Sequence, residues 1–458
     1  MLTSSLANKI DAELLGADVE FSRVSTDTRT IQPGDFFVAL KGEQFDGHEY
    51  VQLAQQSGAV AAMVSTQLQV DFPQILVKDT RLGLGALGKA WAGQFSPKKM
   101  AITGSSGKTT VKELLASICS QVGSTLYTQG NLNNDIGVPL TLCRLASAHQ
   151  FAVIEMGANH AGEIAYTAAL AGADIALVNN VGAAHLEGFG SLEQVAQAKS
   201  EIYGALSPDG VAVINLDDAF AEFFKGQAQH SKQATYSMVN PSADVHLQSL
   251  QVSTSGQCQF SASVFGDSVA VNLQLIGRHN VMNALAAMTI AHLVGCSISD
   301  ISKGLSLVEA VPGRLRAVAE LEGCNVIDDT YNANPDSMKS AIDVLSSLSG
   351  HACLVLGGMA ELGHESCRLH QEIGRYAAEK GIGTVYAVGE AAALYREGFL
   401  AGSSDGVFVT AENHQRLAED LYSNHRDKAI LIKGSRSSQM EKVIARMLEC
   451  QLAKRGNH

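Results

Sequence analysis

The sequence predicts an α/β protein of three domains: a small α/β module, a central parallel sheet with a β-meander appendage, and a C-terminal α/β unit. Three observations carry that prediction. The 458 residues exceed what one hydrophobic core holds, and at ~150 residues per domain they suggest about three. Two separate stretches alternate strand-like apolar runs with helical patterns, the signature of parallel sheets flanked by helices. Between them, residues 243–275 change to alternation with a period of two.

Within residues 1–82, Ser25-Thr26-Asp27-Thr28-Arg29 is followed by Pro33-Gly34-Asp35-Phe36-Phe37-Val38-Ala39-Leu40, a turn running into an apolar strand. A helical stretch from Leu82 to Phe95 leads through Pro97 to a new strand at Met100-Ala101-Ile102-Thr103. The central domain, 83–311, reads as strands at 100–103, 151–155, 174–179 and 211–215 with helices between. Glu155, Asn179, Asn180 and Asn215 lie at strand ends, where open parallel sheets bind their ligands. The meander is carried by Val245/Leu247, Phe260/Ala262/Val264 and Val269/Val271/Leu273/Leu275, with turns at Ser253–Gly256 and Gly266-Asp267. After Pro312-Gly313-Arg314 the third domain, 312–458, has strands at 325–328, 352–356, 384–388 and 429–432.

Composition excludes several classes of function. Hydrophobic residues make up 46% and charged residues 17%, which excludes a disordered chain and fits a compact enzyme. Thirty-three basic against 46 acidic side chains leave a net charge of -13, which opposes adhesion to nucleic acid. The segment Met1–Gly16 carries Asp11 and Glu13 and lacks a basic start followed by an apolar run, so a cytoplasmic protein is expected. Its most apolar stretch, 168–184, is interrupted by Asp174, Asn179 and Asn180, and membrane insertion is not expected. Eight scattered cysteines form no Cys-x-x-Cys pair and read as small core residues.

The chemistry begins at Gly104-Ser105-Ser106-Gly107-Lys108-Thr109-Thr110, between the strand 100–103 and a helix that places Val111, Leu114, Leu115, Ile118 and Cys119 on one face. Glycines let backbone N–H groups point at phosphate oxygens, and the helix N-terminus adds positive partial charge. Lys108 supplies a cation, and a threonine hydroxyl can reach Mg2+. The spacing departs from Gly-x4-Gly-Lys-Ser/Thr because Ile102 stands where the first glycine would be. Strand, loop and helix together still predict ATP binding, against the plain alternative of a glycine-rich turn with a surface lysine.

Glu155 ends an apolar strand, and beside a phosphate loop a carboxylate there can bind Mg2+. His185 and Lys199 are weaker signals. A lone histidine after a strand is more often a hydrogen-bonded structural residue, and a lone helix lysine is usually solvated.

The set Thr103-Gly104-x-x-Gly107-Lys108-Thr109-Thr110, Glu155, His185, Ala198-Lys199-Ser200-Glu201-Ile202 and Gly277-Arg278-His279-Asn280-x-x-Asn283 resembles the Mur ligase family of peptidoglycan synthesis, in order and spacing, over essentially the whole chain. The resemblance implies a UDP-binding N-terminal domain, a P-loop ATPase-like central domain and a Rossmann-like C-terminal domain. Gly130–Pro139, Asp328–Met338 and Leu356-Gly357-Gly358-Met359 look like the branch that adds D-alanyl-D-alanine to UDP-N-acetylmuramoyl-tripeptide. The alternative is the sister branch that adds the third amino acid, which usually carries a later Asp-Asn-Pro-Arg that this chain lacks.

Carried over by position, the resemblance makes Lys108, Glu155, His185 and Lys199 catalytic. Thr109 and Glu155 would hold one Mg2+; His185 and a carbamylated Lys199 would hold a second. Gly104 to Thr110, Asn280, Asn283, Arg314 and Asp329 would contact ATP. Ser25, Thr26, Asp27 and Asn134 would lie on the UDP side, while Tyr331, Asn332, Asn334 and Pro335 would border the dipeptide. The implied protein is a monomer that closes its third domain over ATP about Pro312-Gly313. A kinase or switch could use the same loop but needs neither the Tyr331–Pro335 segment nor a carbamate.

Overall fold

A computed structural model describes residues 1–183, 186–348, 352–425 and 428–456. Long apolar runs form its buried strands. The first sheet contains β1 (Glu13–Leu15), β2 (Arg23–Ser25), β3 (Asp35–Val38), β4 (Ala61–Val64) and β5 (Gln74–Leu76) in the order β1-β5-β4-β3-β2. Phe36 to Val38 and Ala61 to Val64 are buried on both faces, as a parallel sheet covered on two sides requires. Only β1 runs antiparallel to its neighbour.

The central sheet has nine strands: β6 (Lys98–Thr103), β7 (Thr125–Tyr127), β8 (Phe151–Glu155), β9 (Ile175–Val178), β10 (Val211–Asn215), β11 (Lys232–Ser237), β12 (Val245–Val252), β13 (Gln257–Val264) and β14 (Asp267–Ile276). Their order is β14-β13-β12-β11-β10-β9-β6-β8-β7. The meander β12–β14 is continuous with the parallel part, because β12 pairs parallel with β11. Sequence reading omits β7 and β11. The first is three residues long, and the second, Lys-Gln-Ala-Thr-Tyr-Ser, has no apolar run.

The third sheet orders β15 (Arg316–Ala317), β16 (Asn325–Asp329), β17 (Ala352–Leu356), β18 (Thr384–Val388), β19 (Val407–Ala411) and β20 (Ala429–Lys433) as β15-β16-β20-β17-β18-β19. Apart from β15 it is parallel. The edge strand β19, Val-Phe-Val-Thr-Ala, is half exposed; sequence reading omits it although it carries an apolar run.

The helix Thr80–Ala92 ties the first sheet to the second. Asp79 caps it by accepting from the N–H groups of Arg81 and Leu82. Trp91 stacks on Phe21 of the first unit at 5.7 Å and donates its indole N–H to the Leu145 carbonyl of the second at 3.0 Å. At Gly88 a Cβ would lie 2.9 Å from Pro139 Cα, so the helix sits backbone-close to the helix Gly137–Leu142.

Cys119, Cys143, Cys258, Cys296 and Cys353 are buried, in line with the core reading, whereas Cys367 is exposed on the helix Ser366–Glu379. Among the described residues no helix is long and apolar enough to cross a membrane.

Candidate active site

The carboxyl ends of β6, β8, β9 and β10 open on one edge of the central sheet, where β6 delivers the phosphate loop. Gly104 (φ +151°) and Gly107 (φ +77°) occupy backbone regions that side chains strain to reach. A Cβ on Gly107 would lie 2.4 Å from Asn283 Oδ1 and 2.6 Å from Asn179 Nδ2. The loop is clamped from β9. Asn180 Oδ1 accepts from the Ser106 N–H (2.8 Å), while the Asn179 and Asn180 amides donate to the Ser106 carbonyl at 2.9 and 3.1 Å. Ser105 exchanges hydrogen bonds with the Gly182 backbone. The first N–H groups of the helix Lys108–Cys119, which lack intrahelical acceptors, are left to meet an anion.

Lys108 Nζ donates to the Gly104 carbonyl at 2.5 Å. Burial lowers its pKa, Glu155 opposes that shift and Arg314 adds to it. Thr109 donates from Oγ1 to Glu155 Oε1 at 3.2 Å, and Asn133 Nδ2 donates to the same oxygen at 2.8 Å. Glu155 Oε2 is buried with no hydrogen-bond partner. A carboxylate oxygen desolvated in this way costs free energy unless something positive meets it. An orphaned oxygen beside a threonine hydroxyl at a phosphate loop therefore fits a Mg2+ ion. No trio of His, Cys, Asp or Glu gathers in a metal-binding arrangement among the described residues, so a metal there would need other donors.

Lys199, expected to be solvated if it had no role, is instead 1% exposed on the helix Leu192–Gly204. Burial and the nearby charge of Lys108 push its pKa well below the usual lysine range. Both effects disfavour the charged form of the amine. His185 lies outside the described residues.

Asn280 and Asn283 stand at the start of the helix His279–Leu293. Asn283 donates to Asn280 Oδ1 (3.0 Å) and accepts from Asn179 (3.0 Å), while Asn280 donates to the Ile276 carbonyl (2.8 Å). Asn283 backs the loop at Gly107, and Asn280 holds Asn283 in place. Burial takes His279 down to about 4 and keeps it neutral.

The third sheet reaches the loop through its own strand ends. Arg314 Nη2 donates to Thr109 Oγ1 at 3.0 Å, and its guanidinium lies 4.2 Å from the centre of the Tyr331 ring. Asn334 caps the helix Pro335–Ser347 through the Ser337 N–H and donates to Ser106 Oγ at 3.2 Å. Pro335 is buried at the first turn, and Asn332 is exposed. Asp336 accepts from the Ala183 N–H at 3.1 Å. Asp329, expected to reach nucleotide, gives one oxygen to Lys433 Nζ (2.6 Å) and the other to the Leu315 N–H (3.2 Å). Sequence reading missed Lys433, whose Nζ also donates to the Asn332 carbonyl at 3.0 Å. Its signal was a lone polar residue ending an apolar strand before Gly434.

On the UDP side, Ser25 and Asp27 close a local turn at the end of β2, and the Arg29 guanidinium holds the Asp27 carboxyl down to about 2. Thr26 between them is half-buried. Asn134 accepts from the Gly137 N–H at 2.8 Å, so its side chain shapes the 130–137 loop. Asn133, not singled out by sequence, is the residue of that loop that touches Glu155.

Fold and site together define a three-part phosphate-loop enzyme in which a third sheet reaches over the loop of a second. The chain belongs to the Mur ligase family: models of the Mur ligase middle domain match residues 102–291, the glutamate ligase domain 313–436, and the Mur ligase family catalytic domain 20–90. The chain is 44% identical over 450 residues to the UDP-N-acetylmuramoyl-tripeptide--D-alanyl-D-alanine ligase of Escherichia coli, covering 97% of this chain and 98% of that one. It is similar to the crystal structure of MurF from Acinetobacter baumannii (TM-score 0.89, 36% identity, covering 97% and 98%). MurF from Thermotoga maritima in complex with ADP gives a TM-score of 0.83 at 28% identity, over 94% and 98% of the two chains.

Gly107→Ala should weaken ADP binding by at least ~10-fold, since the added carbon meets the Asn283 and Asn179 amides and strains the loop. Isothermal titration of a variant that keeps its circular dichroism spectrum checks this.

Proposed function

We propose that the chain is an ATP-dependent amide ligase that joins D-alanyl-D-alanine to UDP-N-acetylmuramoyl-tripeptide, giving the pentapeptide precursor, ADP and phosphate. The observation that carries this reading is the full-length similarity to a ligase named for that reaction. The site geometry agrees: an orphaned carboxylate oxygen and a threonine hydroxyl meet at a phosphate loop, with an arginine from the third sheet on the same hydroxyl.

A carboxylate is a poor acyl donor, so the γ-phosphoryl group moves first, its bond to ADP breaking as one forms to the tripeptide's terminal carboxylate oxygen. The amine of D-alanyl-D-alanine then attacks the carbonyl carbon, loses a proton, and the tetrahedral adduct expels phosphate. Gly104 to Thr110 hold the nucleotide phosphates, and Lys108, whose Nζ rests on the Gly104 carbonyl, would turn from it toward the transferred group. Arg314 supplies a second cation from the third domain, and Lys433 orders Asp329 and the Asn332 backbone beside it. Thr109 and Glu155 would hold one Mg2+, and His185 with a carbamylated Lys199 a second. Magnesium bound there would offset negative charge on the phosphates. Asn280 and Asn283 form the adenine side of the pocket, Ser25, Thr26, Asp27 and Asn134 the UDP side, and Tyr331, Asn332, Asn334 and Pro335 the dipeptide side.

Carbamylation is chemically reasonable at Lys199, because only a neutral amine attacks CO2, forming an N–C bond and releasing a proton. Burial, with the charge of Lys108 nearby, shifts Lys199 toward that neutral form. We assign residues 1–82, 83–311 and 312–458 to the UDP-binding, ATP-binding and ligase domains of a cytoplasmic monomer without membrane insertion, hinged at Pro312-Gly313. Gly313 has a φ of +76°, which a glycine supplies at low cost.

With ATP and Mg2+ present, phosphate release and product mass should rise together only when UDP-N-acetylmuramoyl-tripeptide and D-alanyl-D-alanine are both supplied. Release without amide formation contradicts the ligase reading. Lys199→Ala should lose activity and regain part of it when short-chain carboxylic acids are added, whereas indifference to the substitution removes the carbamate.

A further inference from the structure

Lys112 is a cation that the proposed reaction does not use. It follows Thr109 by three positions on the phosphate-loop helix, so the two side chains share a face. Lysine at a helix position is normally solvated, yet Lys112 is 1% exposed. Its Nζ donates to the Thr128 carbonyl at 2.9 Å, lies 2.8 Å from Glu113 Oε1 and sits 5.7 Å from the centre of the Tyr127 ring. Burying an ammonium is expensive unless carbonyl and carboxylate partners meet it, and here both do.

Its acceptor leads to the metal carboxylate. Thr128 is wholly buried just past β7 and continues the ladder to β8 by donating its N–H to the Val153 carbonyl at 3.1 Å. Thr128 Oγ1 accepts from the N–H of Glu155 at 3.0 Å. The helix that carries Thr109 is thus cross-braced to the strand end that carries Glu155, in the sequence Lys112, Thr128, Glu155. The brace is needed because β7 is a three-residue strand at the edge of the nine-stranded sheet, with little ladder of its own.

We propose that Lys112 and Thr128 are positioning residues that set the separation of Thr109 and Glu155, and through it the affinity of the site for Mg2+. This rests on the reading of Glu155 as a metal ligand given above. Partners that orient metal ligands without touching the metal typically change affinity ~10- to 100-fold when removed. Lys112→Met keeps the length of the stem and removes the donor. Thr128→Val keeps the shape and removes the hydroxyl, while Thr128→Ser restores it.

The test is isothermal titration of each full-length variant with ADP, with and without Mg2+, alongside its melting temperature and with Glu155→Gln as reference. ADP alone should bind each brace variant within about twofold of the parent. The gain in affinity that Mg2+ confers should fall ~10-fold in Lys112→Met and Thr128→Val and be kept in Thr128→Ser. Loss of the gain in Glu155→Gln with a full gain in Thr128→Val overturns the brace. A full gain in Glu155→Gln overturns the metal reading itself, and the brace with it. Should Lys112→Met fail to fold, the Thr128→Val and Thr128→Ser pair decides.

Discussion

The contact of Thr109 with Glu155 is the constraint around which the central domain is arranged. It requires a helix N-terminus and the carboxyl end of a neighbouring strand to meet within hydrogen-bond distance. The parallel register supplies the meeting, because Ile102 of β6 lies opposite Glu155 of β8, and the loop leaves β6 one residue later. Neither partner is free to drift. Lys112 and Thr128 hold the Glu155 backbone, Asn133 holds its Oε1, and the two asparagines after β9 hold Ser106. What these groups leave unsatisfied is the remaining carboxylate oxygen, and an uncompensated acceptor in that position is a demand for a cation.

The same corner concentrates positive charge. Arg314 acts on Lys108 and Lys108 on buried Lys199, in each case lowering the pKa of the ammonium acted on. Such an arrangement is costly in a resting protein and favourable when a polyanionic nucleotide arrives, as expected of a site preorganised for phosphoryl transfer. The third domain adds to it from a distance in sequence. Arg314 and Asn334 touch Thr109 and Ser106, while Lys433 ties β20 to β16 behind them. Movement at Gly313 would change the Arg314 and Asn334 contacts together, while the Lys433–Asp329 tie, internal to the third sheet, would travel with it.

What could be read from sequence was what is encoded locally. The phosphate loop, the amphipathic face of its helix, the long apolar strands and the meander all announce themselves within about 20 residues, and Glu155 followed from its place at a strand end. The clamp on Ser106, the Lys433–Asp329 pair and the Lys112 brace were illegible, because each depends on which strands lie side by side. Sequence patterns do not state strand order. The short strand β7 and the polar strand β11 escaped for want of an apolar run. Turn chemistry limits what motif position alone says: Asn134 caps a loop, and Asp27 is bound to Arg29. His185 lies outside the described residues, and its role rests on resemblance.

Ligation through an acyl phosphate requires that the tripeptide's carboxylate be phosphorylated before the amine arrives. The direct measurement uses tripeptide substrate labelled with 18O in its terminal carboxylate and follows the label by mass spectrometry of the released phosphate. Passage through an acyl phosphate predicts that each phosphate carries one labelled oxygen, with the other retained in the amide. Phosphate released free of label, alongside amide product, would contradict it.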